Sequence, residues 1–318
     1  MMQIKKIDTT KIQSEQKVFR PMEFEDFVGQ EDIKKVLKAA IKSAQKRESF
    51  LGHILFSGES GYGKTTLAQI IARQLGVNIK IITGYAISKP AEMISILNSL
   101  QEGDVLFIDE THRLRPNIEE ILYVAMEDFM IDMVLPEWWN VRIPLNKFTL
   151  IWATTRLESL SIPLKNRFVY KFHFIDYEEN EKKQIIQRYL DFYNINSESS
   201  LINEICTNIV SVPREINNFC FKLRDYLVSK WAKQNNLLLD KEIRLEFKEW
   251  AKLIDGWLNH VHQKYIEILQ EFEWGPVWLK TIALKLWLNE RAVEEDIEPL
   301  LLKLGKIEKS SRWRSLKK

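Results

Sequence analysis

Gly58-Glu59-Ser60-Gly61-Tyr62-Gly63-Lys64-Thr65 fits the pattern G-x-x-x-x-G-K-[ST] at every required position. Glycines let a backbone wrap a phosphate chain and turn its N–H groups inward, at the positive end of the helix that follows. A lysine in the Lys64 position reaches β- and γ-phosphates, and a hydroxyl in the Thr65 position ligates Mg²⁺. The context agrees: the apolar run His53-Ile54-Leu55-Phe56 precedes the loop, and a helical pattern from Lys64 to Leu75 follows it. An ordinary glycine turn would not require that context.

Outward from the loop, three further apolar runs read as strands: Ile79 to Ile82, Val105 to Ile108 and Phe148 to Ala153. Each is followed by turn residues and a helical stretch, and Asp32 to Arg47 is helical ahead of the first. Strands alternating with helices predict an α/β fold, a parallel sheet with helices on both faces. The third run ends in Asp109-Glu110, about 45 residues past the loop. At that spacing Asp109 is expected in the Mg²⁺ shell and Glu110 is expected to polarise the attacking water. Alone, an acidic strand end is commonplace.

Phosphoryl transfer also needs positive charge at the γ-phosphate. Arg167, in Lys165-Asn166-Arg167-Phe168, is a candidate finger for a neighbouring subunit. Arg214, in Val212-Pro213-Arg214-Glu215, is a candidate sensor of the nucleotide in its own subunit. Read singly, either arginine is more commonly a surface ion-pair residue.

After Phe174 the strand-like runs fade and helices are expected at Glu181–Tyr193, Leu201–Val210 and Arg214–Lys233. From near Asp255, three short helices (Tyr265–Phe272, Val277–Trp287, Glu294–Leu304) and a basic ribbon ending Arg312-Trp313-Arg314 predict a winged helix. The expected division is a flexible arm over 1–18, a nucleotide-binding domain over 19–174, a helical lid over 175–252 and a winged helix over 253–318. Strand alternation would put Arg312 and Arg314 on one face, toward a DNA backbone. Of the ten tryptophans, Trp250, Trp257, Trp274, Trp278 and Trp287 are expected in the core, because tryptophan is more often packing than platform. Trp138 and Trp139 are adjacent, so in a strand one faces outward.

Composition narrows the field. Formal net charge is only +2, from 46 basic and 44 acidic side chains, so any nucleic-acid surface must be local. Two cysteines without CxxC spacing argue against a disulfide framework or a zinc site, and are expected to be buried thiols. The amino-terminal 18 residues lack a signal-peptide core, and no apolar run approaches the ~20 residues of a membrane span. A cytoplasmic location and no membrane partner are expected.

These residues together carry a family resemblance. Phe19-Arg20-Pro21 and Phe27-Val28-Gly29-Gln30 resemble the amino-terminal signature of AAA+ proteins, where the chain packs on adenine. Asp109-Glu110-Thr111-His112-Arg113-Leu114 resembles the D-E-I-H-R-L of the RuvB family, the bacterial Holliday-junction branch-migration motors. Met126-Glu127-Asp128-Phe129, Phe148 through Arg156, Pro163 through Phe168, Gly275-Pro276-Val277 and Glu295 through Pro299 match it in order. D-E-x-H also marks another helicase superfamily, but that one needs two motor domains; His112 is read as structural or as a minor relay.

The resemblance implies an ATP hydrolase with ATP and Mg²⁺ as cofactors, in a hexameric ring that pulls duplex DNA from four-way junctions. It implies a RuvA-like junction-binding partner and leaves room for a RuvC-like resolvase. Arg20, Val28, Gly58, Gly61, Gly63, Lys64, Thr65, Thr66 and Arg214 would bind the nucleotide. Thr155 is similar to the first sensor, Arg167 to the trans finger and Arg214 to the second sensor. Arg312 and Arg314 fall on the DNA-contacting R-G-R wing. The partner-gripping hairpin lies between Ile131 and Leu145, with Trp138 and Trp139. Departures include Glu59-Ser60 for Pro-Pro, Trp313 for the wing glycine and Lys306 for a large apolar residue. A clamp-loader or replication-initiator ATPase would share loop and sensors but lack the D-E-x-H-R-L string. A nucleotide-binding subunit without hydrolysis would not need Glu110, Thr155 and Arg167 together.

Overall fold

The structure is a computed structural model that describes residues 20–111, 114–134, 140–208, 212–230, 237–251, 258–272, 275–310 and 312–317. His112, Arg113, Trp138, Trp139, Trp257 and Trp274 lie outside the described residues. The chain divides into two compact units, one up to Asp176 and one from Tyr177.

The first unit begins with α1 (Glu31–Lys46), whose apolar stripe Ile33, Leu37, Ala40, Ile41 and Ala44 is buried at helical spacing. Then come β1 (Ile54–Ser57), α2 (Lys64–Leu75), β2 (Ile79–Thr83), α3 (Pro90–Asn98), β3 (Val105–Asp109) and α4 (Pro116–Asp128). An antiparallel hairpin of β4 (Met130–Val134) and β5 (Asn140–Pro144) follows, then β6 (Thr149–Thr154), α5 (Ile162–Arg167) and β7 (Tyr170–His173). Five strands form one parallel sheet in the order β2-β3-β6-β1-β7. Leu55, Leu106, Ile108, Leu150 and Trp152 join the cluster built with α3, α4 and α5. Their buried neighbours Ile54, Phe56, Phe107 and Ile151 point to the opposite face, where α2 packs on the sheet.

The fifth strand, β7, was not among the expected runs. Its Tyr-Lys-Phe-His sequence alternates half-buried and exposed residues, because it is an edge strand paired only with β1. Tyr170 and Phe172 stack on one side of it, with ring planes 5° apart.

The second unit holds α6 (Glu179–Phe192), β8 (Ile195–Ser197), α7 (Ser199–Asn208), α8 (Pro213–Lys230), β9 (Leu237–Leu239) and α9 (Lys241–Trp250). The parallel pair β8–β9 and helix α9 were not foreseen. Cys206 and Cys220 are both free and buried, as expected. Next come α10 (His260–Glu271), β10 (Val277–Trp278) and α11 (Leu279–Leu286). A helical run then passes through a π segment (Val293–Ile297) into α12 (Glu298–Lys303), ahead of β11 (Ile307–Lys309) and β12 (Trp313–Leu316). The order β10-β12-β11 makes a three-stranded antiparallel sheet, which completes a winged helix.

Two expectations fail here. Arg314 does not face solvent: it is 2% exposed, and its guanidinium donates to Glu298 Oε1 at 2.7 Å and Glu294 Oε1 at 2.7 Å. Tyr265 donates to the same Glu298 oxygen, and Lys309 pairs with Glu298 Oε2 at 3.2 Å. Strand β12 starts at Trp313, so Arg312 stands in the turn ahead of it, exposed, while Arg314 takes the inner face with Leu316. The core assignment of the tryptophans fails too: Trp250, Trp278 and Trp287 are 52%, 50% and 89% exposed. The winged-helix core is built instead from Tyr265, Ile268, Leu269, Ile282, Leu301 and other aliphatic neighbours. Trp287 caps α11 in the left-handed region, φ 58°, a place that glycine fills at lower cost.

Removing one partner of a buried ion pair strands the other charge. Glu298→Ala should therefore cost about 3–5 kcal/mol in the winged helix, while Glu294→Ala, at the solvent edge, should cost about 1 kcal/mol or less. Hydrogen exchange of the α10 amides measures both; equal protection in the two variants would contradict the ranking.

Candidate nucleotide site

The carboxyl ends of β1, β3 and β6 lie side by side in the parallel sheet, and the expected site residues sit on them. The loop leaves β1 through Gly58, at φ 134°, where an added Cβ would come within 3.0 Å of Phe174. Gly58 N donates to Thr154 O at 3.2 Å, and Phe174 N donates to Ser57 O at 2.8 Å, so neighbouring strands pin the start of the loop from both sides. Gly61 and Gly63 take φ of 87° and 93°, the left-handed turn that only glycine makes cheaply and that opens α2. Lys64, buried, donates to the loop carbonyls of Gly58 and Glu59, both at 2.7 Å. Thr65 and Thr66 are half-buried in the first turn of α2.

Thr65 Oγ1 lies 3.4 Å from Asp109 Oδ2, which brings the two expected metal ligands together. A hydroxyl beside a carboxylate is a hard-oxygen donor set, and it fits a magnesium ion held by Thr65 with Asp109 in its shell. Asp109 Oδ1 accepts from Glu110 N at 2.9 Å. Glu110 itself is half-buried at φ 49°, an unusual backbone for a side chain with a Cβ. Thr111 fixes the next step of the chain, donating to Ala153 O on β6 at 3.0 Å. Thr155 is exposed just past β6, between Thr154, whose carbonyl takes Gly58 N, and Arg156, whose N–H reaches Thr154 Oγ1 at 3.0 Å. The loop and Thr155 thus share one anchor.

Two residues outside the expected set hold this arrangement. Tyr62, in a variable position of the loop, is buried, and its hydroxyl meets Glu59 and Asp176. Burial and those carboxylates drive its ionisation far above the ordinary phenol range. Gly84, at the end of β2, faces the backbone of Glu110: a Cβ there would stand 2.7 Å from Glu110 O. Neither residue carries a motif signal.

Of the amino-terminal signature, Arg20 is exposed and Val28 half-buried. Gln30 exchanges bonds with the main chain of Ile175, Nε2 to O at 2.7 Å and N to Oε1 at 3.3 Å. That clamp and the Tyr62–Asp176 contact hang on successive residues, so segment 28–30 and the loop are tied to one stretch past β7. Arg167, the last residue of α5, is not near the loop in its own hydrogen bonding. Its Nη2 donates to Glu127 Oε2 at 2.9 Å, its Nη1 to Pro163 O at 3.1 Å, and its plane lies 4.9 Å over the Tyr123 ring. Arg214 is exposed in the first turn of α8, in the second unit.

Gly84→Ala must push the Glu110 backbone aside, while the loop is untouched. ATP turnover is expected to fall ~10- to 100-fold with nucleotide affinity unchanged, because small displacements of a reacting group are costly. Equal losses in both would place Gly84 in loop folding instead.

Comparison with known proteins matches two family models, the Holliday junction DNA helicase RuvB P-loop domain over residues 19–174 and the RuvB C-terminal winged helix domain over 256–318. The Holliday junction branch migration complex subunit RuvB of Phytoplasma mali is 38% identical, with 95% of this chain and 91% of that protein covered. Its counterpart from Campylobacter fetus is 39% identical over 99% of this chain and 92% of that protein. Among solved structures, the Thermotoga maritima RuvB Holliday junction branch migration motor superposes with a TM-score of 0.80 at 34% identity, covering 94% of this chain and 96% of that one. The AAA domain of FIGL-1 shares the fold alone, at 14% identity and a TM-score of 0.57. On this similarity along nearly its whole length, the chain belongs to the RuvB family.

Proposed function

We propose that this chain is an ATP-hydrolysing DNA motor subunit that drives branch migration at four-way junctions in recombination and repair. The observation that carries it is the meeting of Lys64, Thr65, Asp109 and Glu110 at one sheet edge, in a chain that ends in a winged helix. Lys64 and the loop N–H groups hold the β- and γ-phosphates. Thr65, with Asp109, holds Mg²⁺, which when bound neutralises charge developing on the transferred phosphoryl group. Glu110 accepts a proton from the attacking water, and Thr155 orients that water or the γ-phosphate. Arg20 and Val28 flank the adenine, and Arg214 reports nucleotide occupancy from the lid, which we take as residues 175–252 ahead of a winged helix over 253–318.

Arg167 serves a neighbouring subunit's nucleotide in a hexameric ring. In a lone subunit it rests on Glu127, a solvent-edged pair with 27% and 64% of the two side chains exposed. Such a pair contributes little, about 0–1 kcal/mol, so exchanging it for a phosphate across an interface is inexpensive. The β4–β5 hairpin receives a RuvA-like junction-binding protein, and a RuvC-like resolvase acts on the same junction. The wing meets the DNA backbone through Arg312. A motor that acts on DNA junctions works where the DNA is, in the cytoplasm. Separately, among the described residues no helix is long and apolar enough to cross a membrane.

Glu110→Gln is expected to bind ATP and hydrolyse it ~10²-fold or more slowly. Arg167→Ala should also bind ATP and lose ~10³-fold in turnover. Mixed rings of the two variants should regain activity, since some interfaces pair an intact Glu110 with an intact Arg167. Mixed rings without recovery would assign Arg167 to its own subunit, and near-normal turnover in Glu110→Gln would overturn the hydrolytic site.

A further inference from the structure

Trp278 on β10 and Trp313 on β12 are cross-strand partners, with ring centroids 4.4 Å apart and planes inclined at 58°. They stand on the outer face of the wing sheet; Val277, Arg314 and Leu316 take the inner face and are buried. Packing on each other leaves the rings 50% and 39% exposed. The cluster of buried residues beneath the wing contains neither of them. Two large apolar rings are thus left partly exposed on the wing's outer face, outside the packed core.

The charges around the pair indicate what covers it. Arg312 is exposed just ahead of β12, where Ser310 N donates to Trp313 O at 2.9 Å. Lys317 continues the outer face of β12 two residues beyond Ser315, Lys280 stands two residues past Trp278, and Lys306 precedes β11. All three lysines are exposed, and none of these four cations has an ion pair among the described residues. Glu308, opposite Ser315, is the carboxylate on the outer strand face. An exposed apolar pair beside the exposed Arg312, on a domain whose Lys280, Lys306 and Lys317 are also exposed, is complementary to a polyanion with apolar faces. In duplex DNA the deoxyribose edges of the minor groove offer such faces at every step, whatever the sequence.

We propose that Trp278 and Trp313 form a DNA-contacting element of the wing, pressed against deoxyriboses in the minor groove while Arg312 takes the adjacent phosphate. This rests on the wing's DNA contact proposed above. It also accounts for how a wing with Arg314 turned inward still grips its track: half the electrostatic contact is replaced by an apolar one. An apolar contact releases no counterions, so it adds affinity that salt does not remove, whereas each phosphate contact adds about −0.9 to the slope of log K against log salt.

The test is duplex binding by the full-length protein across a range of salt concentrations, with a mixed-sequence duplex and a non-hydrolysable ATP analogue. Trp278→Thr with Trp313→Thr places β-branched residues, which favour strands, at both positions. It is expected to lower affinity about tenfold or more at every salt concentration, with the slope unchanged. Arg312→Ala should flatten the slope by about one. If Arg312→Ala flattens the slope while the threonine variant follows the wild-type line, the aromatic contact is overturned and the wing reading stands. If Arg312→Ala changes neither slope nor affinity, the wing reading itself falls. Hydroxyl-radical footprinting of the wild-type protein needs no substitution: duplex should protect Trp278 and Trp313 several-fold and leave Trp287 as reactive as before. Unprotected Trp278 and Trp313 overturn the proposal, even if the threonine variant does not fold. Loss of response to a junction-binding partner without loss of duplex affinity would assign the face to protein, and overturns it as well.

Discussion

The nucleotide end of this protein depends on one main-chain hydrogen bond, from Gly58 N to Thr154 O. It fastens the first residue of the phosphate loop to the end of β6, so the loop and Thr155 are positioned from one anchor. Gly58 can make the bond only because it has no side chain, since Phe174 of the stretch past β7 closes on the place where a Cβ would be. From that point the remaining geometry follows by register. Strand β3 runs beside β6 and delivers Asp109 and Glu110 beside the loop, and Thr111 bonds back to β6 to hold them there. A parallel sheet makes this possible because every strand ends on the same edge.

The same constraint explains what was legible in the sequence. The loop, the acidic strand end and the four apolar strand runs are contiguous signals, short runs whose meaning depends on residue type and immediate neighbours. Edge strand β7 was less visible, because its burial alternates and each half of the pattern resembles a loop. Gly84 was invisible: its importance is a distance to a backbone oxygen just past a strand more than twenty residues away. For Arg312 and Arg314 the alternation argument was sound but its phase was wrong. The strand begins at Trp313, so Arg312 belongs to the turn, and Arg314 takes the side on which Glu298 waits. Sequence carries the period of a strand directly, and its orientation only through partners that fold elsewhere.

The tryptophans fail for a related reason. Composition predicts burial for a large ring, yet the aliphatic residues of α10, α11 and α12 already fill the winged-helix interior. The buried space that remained went to a charged group, with Arg314, Glu298, Glu294, Tyr265 and Lys309 satisfying one another. Such a network tolerates one arrangement of α12 against β12, where an all-apolar contact would tolerate several. The wing is thereby held in register by polar atoms, and its outer face is released from any packing duty.

The order of the central sheet has a further consequence, for how copies of the chain avoid sticking together. Strands β2 and β7 stand at its two open margins, and each presents unpaired main-chain groups that another strand could extend. Each also carries one exposed lysine within its short length, Lys80 on β2 and Lys171 on β7. Docking a second sheet along either margin would bury an ammonium or set it against its own copy. The open margins are thereby closed to polymerisation, which leaves a crowded, newly made population of chains free to meet through side-chain surfaces instead of backbone.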